Sequence, residues 1–290
     1  MKVALPGIRH DRSGFEALVR FHAQTESCFL DDIEVDMTAV DWFDADMCAA
    51  FGALLYQLGE ELNAVSLAGI RPSVERILSK NGFLSSYGRQ RIPDTWGTTI
   101  PYRRFDVEDQ RAFAEYVESQ LMRRSEIPEM SSTVLARFRQ TVLEIFSNSV
   151  IHSRTKRGIF SCGQCFPNKN RLVFSVADLG IGMRENLAQI LGLELSAENA
   201  IVWATSLRNT TKRGRIPGGL GLKLLCEFIT INGGSIQIAS DAGYWLFEKG
   251  QPHAFPLRSP FPGTVVTIEI DTSDTHTYRF KSELSPADVF

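Results

Sequence analysis

The chain has 290 residues, with 31 Lys or Arg against 34 Asp or Glu for a formal net charge of −3, and 43% of its residues are hydrophobic. That apolar content excludes a disordered or fibrous chain, and the length suits about two domains. The charge balance gives no overall push toward nucleic acid or an anionic membrane, and no apolar run approaches the ~18 residues of a membrane span. The N-terminus, MKVALPGIRHDR, lacks the pattern of a secretory signal. Five cysteines with one close pair, Cys162 and Cys165, make no even disulfide framework, so the expected compartment is a reducing cytoplasm. No second pair completes a zinc site.

In chain order, residues 33–37 (IEVDM) alternate as a half-buried strand does. DADMCAAFGALLYQLGEEL reads as a helix with Met47, Phe51, Leu54, Leu55 and Leu58 on one stripe and Asp44 as its expected cap. AVSLAG reads as a buried strand. RPSVERILSKNGF reads as a short helix with Val74, Ile77 and Leu78 inward and Gly82 past its end. Strand–helix–strand–helix predicts a small α/β unit with parallel strands over residues 1–84. Residues 85–104 hold two prolines, two glycines and little periodicity, and read as a linker or an ordered connecting arm.

From residue 105, a helix is expected over 106–124, started by Asp106 and lined by Phe113, Val117 and Leu121. Ser131 or Ser132 then caps a long helix to about residue 153, with Leu135, Phe138, Val142, Ile145 and Phe146 inward. A hairpin follows: GIFSCGQCF, the turn PNKN, then RLVFSVAD. Beyond it come two helical stretches, a Gly-rich basic loop, a helix over 220–231, and strands near 235–240, 244–248 and 264–270. This predicts an α+β layer over 105–275, helices over one face of a mixed sheet, with a peripheral polar tail at 276–290. The fold class is therefore a two-domain α/β chain.

Three segments carry chemistry. In EIFSNSVIHS, Glu144, Asn148 and His152 fall at i, i+4 and i+8 and share one helix face. A carboxylate beside an amide oxygen can hold Mg²⁺ and orient a water, although a plain solvated face has the same look. In ADLGIGM, Asp178 ends an apolar strand and Gly180 and Gly182 follow. A carboxylate there can accept from an exocyclic amine such as adenine's, and the glycines let backbone approach a flat ligand; an ordinary strand-to-helix turn also fits. From Thr205 to Lys223 there are five basic residues, Lys212 and Arg213 among them, and no acid. Gly218, Gly219, Leu220, Gly221 and Leu222 then open an apolar helix, and amides freed of side chains at a helix start suit a polyphosphate. The string is neither a Walker P-loop nor a dinucleotide fingerprint.

In this order, Glu144-xxx-Asn148, Asp178-x-Gly180-x-Gly182, Gly218-Gly219-Leu220-Gly221-Leu222 and the later Gly263-Thr264 resemble the boxes of the GHKL superfamily, the gyrase, chaperone, histidine kinase and MutL ATPases. The resemblance implies a Bergerat-type ATP-binding fold with ATP and Mg²⁺ between the helix layer and a lid at about 205–217. It casts Asn148 as the Mg²⁺ ligand, Asp178 as reader of the adenine amine, and the 218–222 backbone as phosphate cradle. Thr264 supports the adenine side, Glu144 is the general base, and His152 has a supporting role.

The N-terminal VDMTAVDWFDADMCAAFGALL and AVSLAGIRPSVERIL resemble STAS domains, the fold of anti-sigma-factor antagonists. Where those carry a phosphate-accepting hydroxyl turn, this chain reads Asp44-Ala45-Asp46-Met47, so no phosphoacceptor is expected there. Asp46 reads as a solvated or capping carboxylate, with a phosphate-mimicking role as the alternative. Three functions follow as expectations: an ATP-hydrolysing regulatory switch, a Ser/Thr protein kinase acting on a separate STAS-like partner, or a nucleotide-gated binding module. His10, His22, His253 and His276 lie in no phosphoacceptor-like helix, which disfavours a conventional histidine kinase. A protein partner is expected, and the resemblance implies that a homodimer is an option, with nothing in the residues that fixes it; nucleic acid and membrane are not expected.

Overall fold

The computed structural model describes residues 1–206, 220–280 and 283. Three parallel strands, β1 (Lys2–Ala4), β2 (Asp32–Asp36) and β3 (Ala64–Ala68), form a sheet in the order β1-β2-β3. Helices α1 (Arg12–Thr25), α2 (Cys48–Glu60) and α3 (Pro72–Lys80) connect or follow them. The parallel arrangement expected from the sequence is present. The additional first strand and α1 were not among the expected elements. α1 is capped by Asp11, whose carboxylate accepts from the Gly14 amide at 3.0 Å.

Asp44 does not cap the following helix. A single 3₁₀ turn, Ala45–Met47, precedes α2, and the Asp44 carboxylate instead accepts from the His10 amide (3.0 Å) and the Trp42 indole (2.6 Å). Asp46 is neither solvated nor capping, because its turn packs against the second sheet and buries it completely.

That second sheet has the order β4-β5-β6-β8-β7. Its strands are β4 (Thr99–Phe105), β5 (Ile159–Phe166), β6 (Arg171–Asp178), β7 (Ser235–Glu248) and β8 (Gln251–Asp271). Every pairing is antiparallel, so the expected mixed sheet is corrected. The end of the expected linker is edge strand β4, which pairs with β5 through a register shift between Ile100 and Arg103, around Pro101. An edge strand accommodates such a break because one side of it needs no ladder partner. The strands expected separately near 235–240 and 244–248 are one irregular strand, β7, in a long hairpin with β8.

One face of this sheet carries α4 (Gln110–Val117), α5 (Ser132–Ser153), α6 (Gly182–Leu191), α7 (Ala197–Thr205) and α8 (Leu220–Asn232). α4 is shorter than expected and runs into a π turn at Glu118–Met122; Asp109, not Asp106, sits at its cap position. Ser131 caps α5, its hydroxyl accepting from the Val134 amide at 3.2 Å. The tail is less peripheral than expected: Tyr278 is buried against Phe228, their ring centroids 4.9 Å apart.

The other face is covered by the N-terminal unit. α2 is apolar all round, with Cys48 through Leu55 and Leu58 buried, as a helix between two sheets must be. Its core continues without a break into Phe160, Cys162, Ala177, Ala239 and Val265 of the large sheet. Strands β5 and β6 are accordingly buried on both faces, although antiparallel sheets commonly leave one face wet. Cys162 faces this core and Cys165 the helix-side core, and all five cysteines are free.

Candidate functional site

Long helix α5 lies over the sheet with its apolar stripe down, which turns a second stripe toward the gap before α6 and α8. Glu144, Asn148 and His152 on that stripe line a pocket of about 190 Å³, together with Asp178, Gly182, Leu222 and Thr264. Residues expected on separate segments therefore converge. Gly180 lies beside the pocket lining. A side chain there would run into Ser153 of α5, so glycine permits the close approach in which the Ile181 amide donates to the Ser153 carbonyl at 2.9 Å. Gly263 likewise lets β8 come against the Asp178 carbonyl, pairing Asp178 with Thr264. Leu220 and Gly221 open α8. Lys212, Arg213, Gly218 and Gly219, with all but the start of the expected lid, lie outside the described residues.

Asp178 is the electrostatic centre. Burial pushes its carboxyl up to about 7, against the opposing pull of the Ser149 and Ser153 hydroxyls and the Thr264 and Gly180 amides. Its Oδ1 is buried with no hydrogen-bond partner among the described residues. A buried acceptor left open at a pocket wall is what a donor such as an exocyclic amine would satisfy, so adenine fits. Beside Asp178, Thr264 is held from behind by Ser240. Its hydroxyl accepts from the Met183 amide at 2.9 Å and lies 2.9 Å from the Thr264 hydroxyl, which sets the latter's direction.

Apolar walls come from Ile145, Met183, Leu187, Trp203, Ile238 and Val266. Asn186 is anchored by donating to the His152 carbonyl at 2.8 Å. Ser149, Ser153 and Ser240 were missed by sequence reasoning. The first two had a legible signal, since they sit one residue after Asn148 and His152 and share their helical spacing. Ser240 had none.

For Mg²⁺, the Asn148 amide oxygen and the Glu144 carboxylate are the oxygen donors on this face. No group of three or more metal-binding side chains exists among the described residues. The donor set still fits, because Mg²⁺ at nucleotide sites takes one or two protein oxygens and is held otherwise by phosphates and water. No helix among the described residues is long and apolar enough to cross a membrane.

No curated protein matches this chain. Residues 133–274 match the family model described as histidine kinase-, DNA gyrase B-, and HSP90-like ATPase. The match spans every residue lining the pocket, and residues 133–274 are a GHKL-type ATP-binding domain.

Proposed function

We propose that the chain is an ATP·Mg²⁺-dependent regulatory switch that hydrolyses ATP and passes its nucleotide state to the N-terminal unit. The observation that supports this most is the parity of β8. Thr264 and Val266 line the pocket, while Val265 packs in the core shared with the N-terminal unit and Glu269 contacts His10 on the same side. One strand thus touches both nucleotide and regulator.

In this reading Asp178 takes the adenine amine and Thr264 supports it. Lys212, Arg213 and the 218–222 backbone take the phosphates. Glu144 holds and deprotonates the attacking water. Asn148 would ligate Mg²⁺, which when bound neutralises phosphate charge. The N-terminal unit is a STAS-like regulator whose acceptor turn has no hydroxyl and is buried, which favours hydrolysis over self-phosphorylation. Free cysteines suit a reducing cytosol.

The test is incubation with γ-labelled ATP and Mg²⁺, wild type against Glu144→Ala. Label appearing as free phosphate in wild type, with at least a hundredfold loss in the variant, is the expected result. Label moving onto an added STAS-like protein would replace the switch with a kinase. ATP that binds but stays intact with or without that protein would remove both enzymes.

A further inference from the structure

Charge is segregated along the N-terminal unit. From Phe21 to Ile70 there are ten carboxylates and no Lys or Arg; from Arg71 to Arg104 there are seven basic residues against Glu75 and Asp94. β2 and β3 both enter from one end of the small parallel sheet and leave at the other, which puts Glu26, Asp31, Asp32, Glu60 and Glu61 around the entry end, while at the exit Asp36, Asp41 and Asp44 of the acidic block meet Arg76 and Lys80 of the basic one.

At the entry end is an apolar knob. Phe29, Leu30 and Leu62 are 63%, 67% and 62% exposed. They sit on two loops stitched together by buried Asn63, whose amide oxygen accepts from the Asp31 amide (2.9 Å) and whose nitrogen donates to the Cys28 carbonyl (3.0 Å). Around the knob stand Glu26, Asp31, Asp32, Glu60 and Glu61. Of these, Glu61 is paired with Arg157 and Glu26 lies 3.6 Å from His22, while Asp31, Asp32 and Glu60 have no ion pair among the described residues.

At the exit end is a groove of about 260 Å³. Trp42, Val74 and Ile77 give it apolar walls, and Arg76 and Lys80 of α3 stand on its rim with one acid, Asp41. Lys80 is also paired with Asp94 at 3.4 Å. Arg9 and Lys169 lie over the Trp42 ring at 5.5 and 5.3 Å from its centroid, adding positive charge at the same mouth.

We propose that the groove receives the Phe29–Leu30 knob of a second copy of this chain. An apolar knob with an acidic rim meets an apolar groove with a basic rim, so both burial and charge favour the contact. Pairing of knob with knob would set acid against acid, and an anionic membrane would be repelled by the same carboxylates. Because knob and groove lie on different parts of one copy, the contact is heterologous and each copy offers both halves.

Sedimentation velocity on the full chain, over a range of concentration and of NaCl, tests this. Self-association that weakens with added salt is expected. Leu30→Asn at the knob and Arg76→Glu on the exposed rim should each weaken it about tenfold or more. Asn tolerates the left-handed backbone at position 30 (φ 54°), so that variant keeps its fold, which a thermal melt verifies. An equimolar mixture of the two variants should restore dimers and nothing larger, since one intact groove then faces one intact knob. Monomer at every concentration, association unaffected by either variant, or a mixture that stays monomeric would each overturn the proposal. A knob that instead binds only a different added protein, with the chain itself monomeric, would overturn it as well.

Discussion

Asp178 combines two demands that conflict. Its open Oδ1 suits a ligand donor, yet its burial penalises the charge that makes it a strong acceptor. The folded chain keeps this proton up to about pH 7, while the unfolded chain releases it near the ordinary 3.8. Stability from this group is therefore fully present below pH 4 and is lost as pH rises to about 7. Asp178→Asn removes that loss. The variant is expected to be more stable without nucleotide by up to roughly 4 kcal/mol at neutral pH, with the gain vanishing near pH 4. It should also bind ATP at least about tenfold more weakly, because a charged acceptor for the adenine amine is replaced by a weaker neutral amide oxygen whose neighbouring NH₂ adds a competing donor. Denaturant melts from pH 4 to 8 and an ATP titration check both halves. A variant that is no more stable would remove the cost assigned to burying this carboxylate, and one that binds equally well would remove the adenine role.

At the scale of elements, the join between the N-terminal unit and the sheet is polar as well as apolar. The Ala45 amide donates to Gln164 at 2.6 Å, and the Cys162 thiol reaches the Ala45 and Asp46 carbonyls at 3.2 and 3.0 Å. His10 stands between three carboxylates. Its Nε2 is 3.0 Å from Glu269 of β8, and its Nδ1 is 3.0 Å from Asp44 and 3.7 Å from Asp46. Arg171 adds a further cation, 3.4 Å from Glu269. Burial alone would lower the His10 imidazole, but Asp46, Asp44 and Glu269 overrule it and hold it up at about 11. Burial pushes the Asp46 carboxyl above its ordinary range, with His10 opposing and Asp44 and Glu269 adding to the rise. Both values lie above the ordinary ones, so both groups stabilise the join at low pH. The shared stabilisation is lost as pH rises above the ordinary carboxylate range for Asp46 and above the ordinary imidazole range for His10. Asp44 is depressed by His10 and acts oppositely, its share being lost under acid. Asp46→Asn should flatten the stability profile between pH 5 and 8. His10→Ala, which strands the carboxylates, should cost about 3–5 kcal/mol. Denaturant midpoints across pH decide this, and an unchanged profile in the Asp46 variant would count against the cluster.

Much of this was legible and some was not, for physical reasons. Asp178 and the Glu144–Asn148 stripe were readable because local spacing determines which side of a helix or strand end they occupy, whereas Thr264 was singled out by the family resemblance alone. The burial of Asp46 was not, because the groups that enclose it come from residues 10, 162 and 269, far off in sequence. The first half of β8 was hidden by Pro252, Pro256, Pro260 and Pro262, which argue against a strand. They are tolerated because the start of β8 is paired with β7 alone. α1 carried a readable cap and stripe, whereas β1 is three residues long and gives no periodicity to detect.

At the scale of the molecule, two units share one core across a face of the large sheet, and the ATP-binding half lacks a solvated back. Residues 99–275 expressed without the N-terminal unit should expose Phe160, Cys162, Ala177, Phe261 and Val265, bind an apolar dye and aggregate. A monomeric, dye-silent fragment would show that the sheet tolerates water on that face.

The same sharing has a consequence during synthesis. Phe51 of α2 finds Phe21, Phe43 and Phe83 within the N-terminal unit, but the sheet-side face of the helix waits for β5, where Tyr56 meets Phe160 about a hundred residues later. At roughly 5–20 residues per second, that face waits about 5–20 s for its permanent cover. Through that interval the nascent chain presents one apolar side of a helix to every chaperone and every neighbouring polysome.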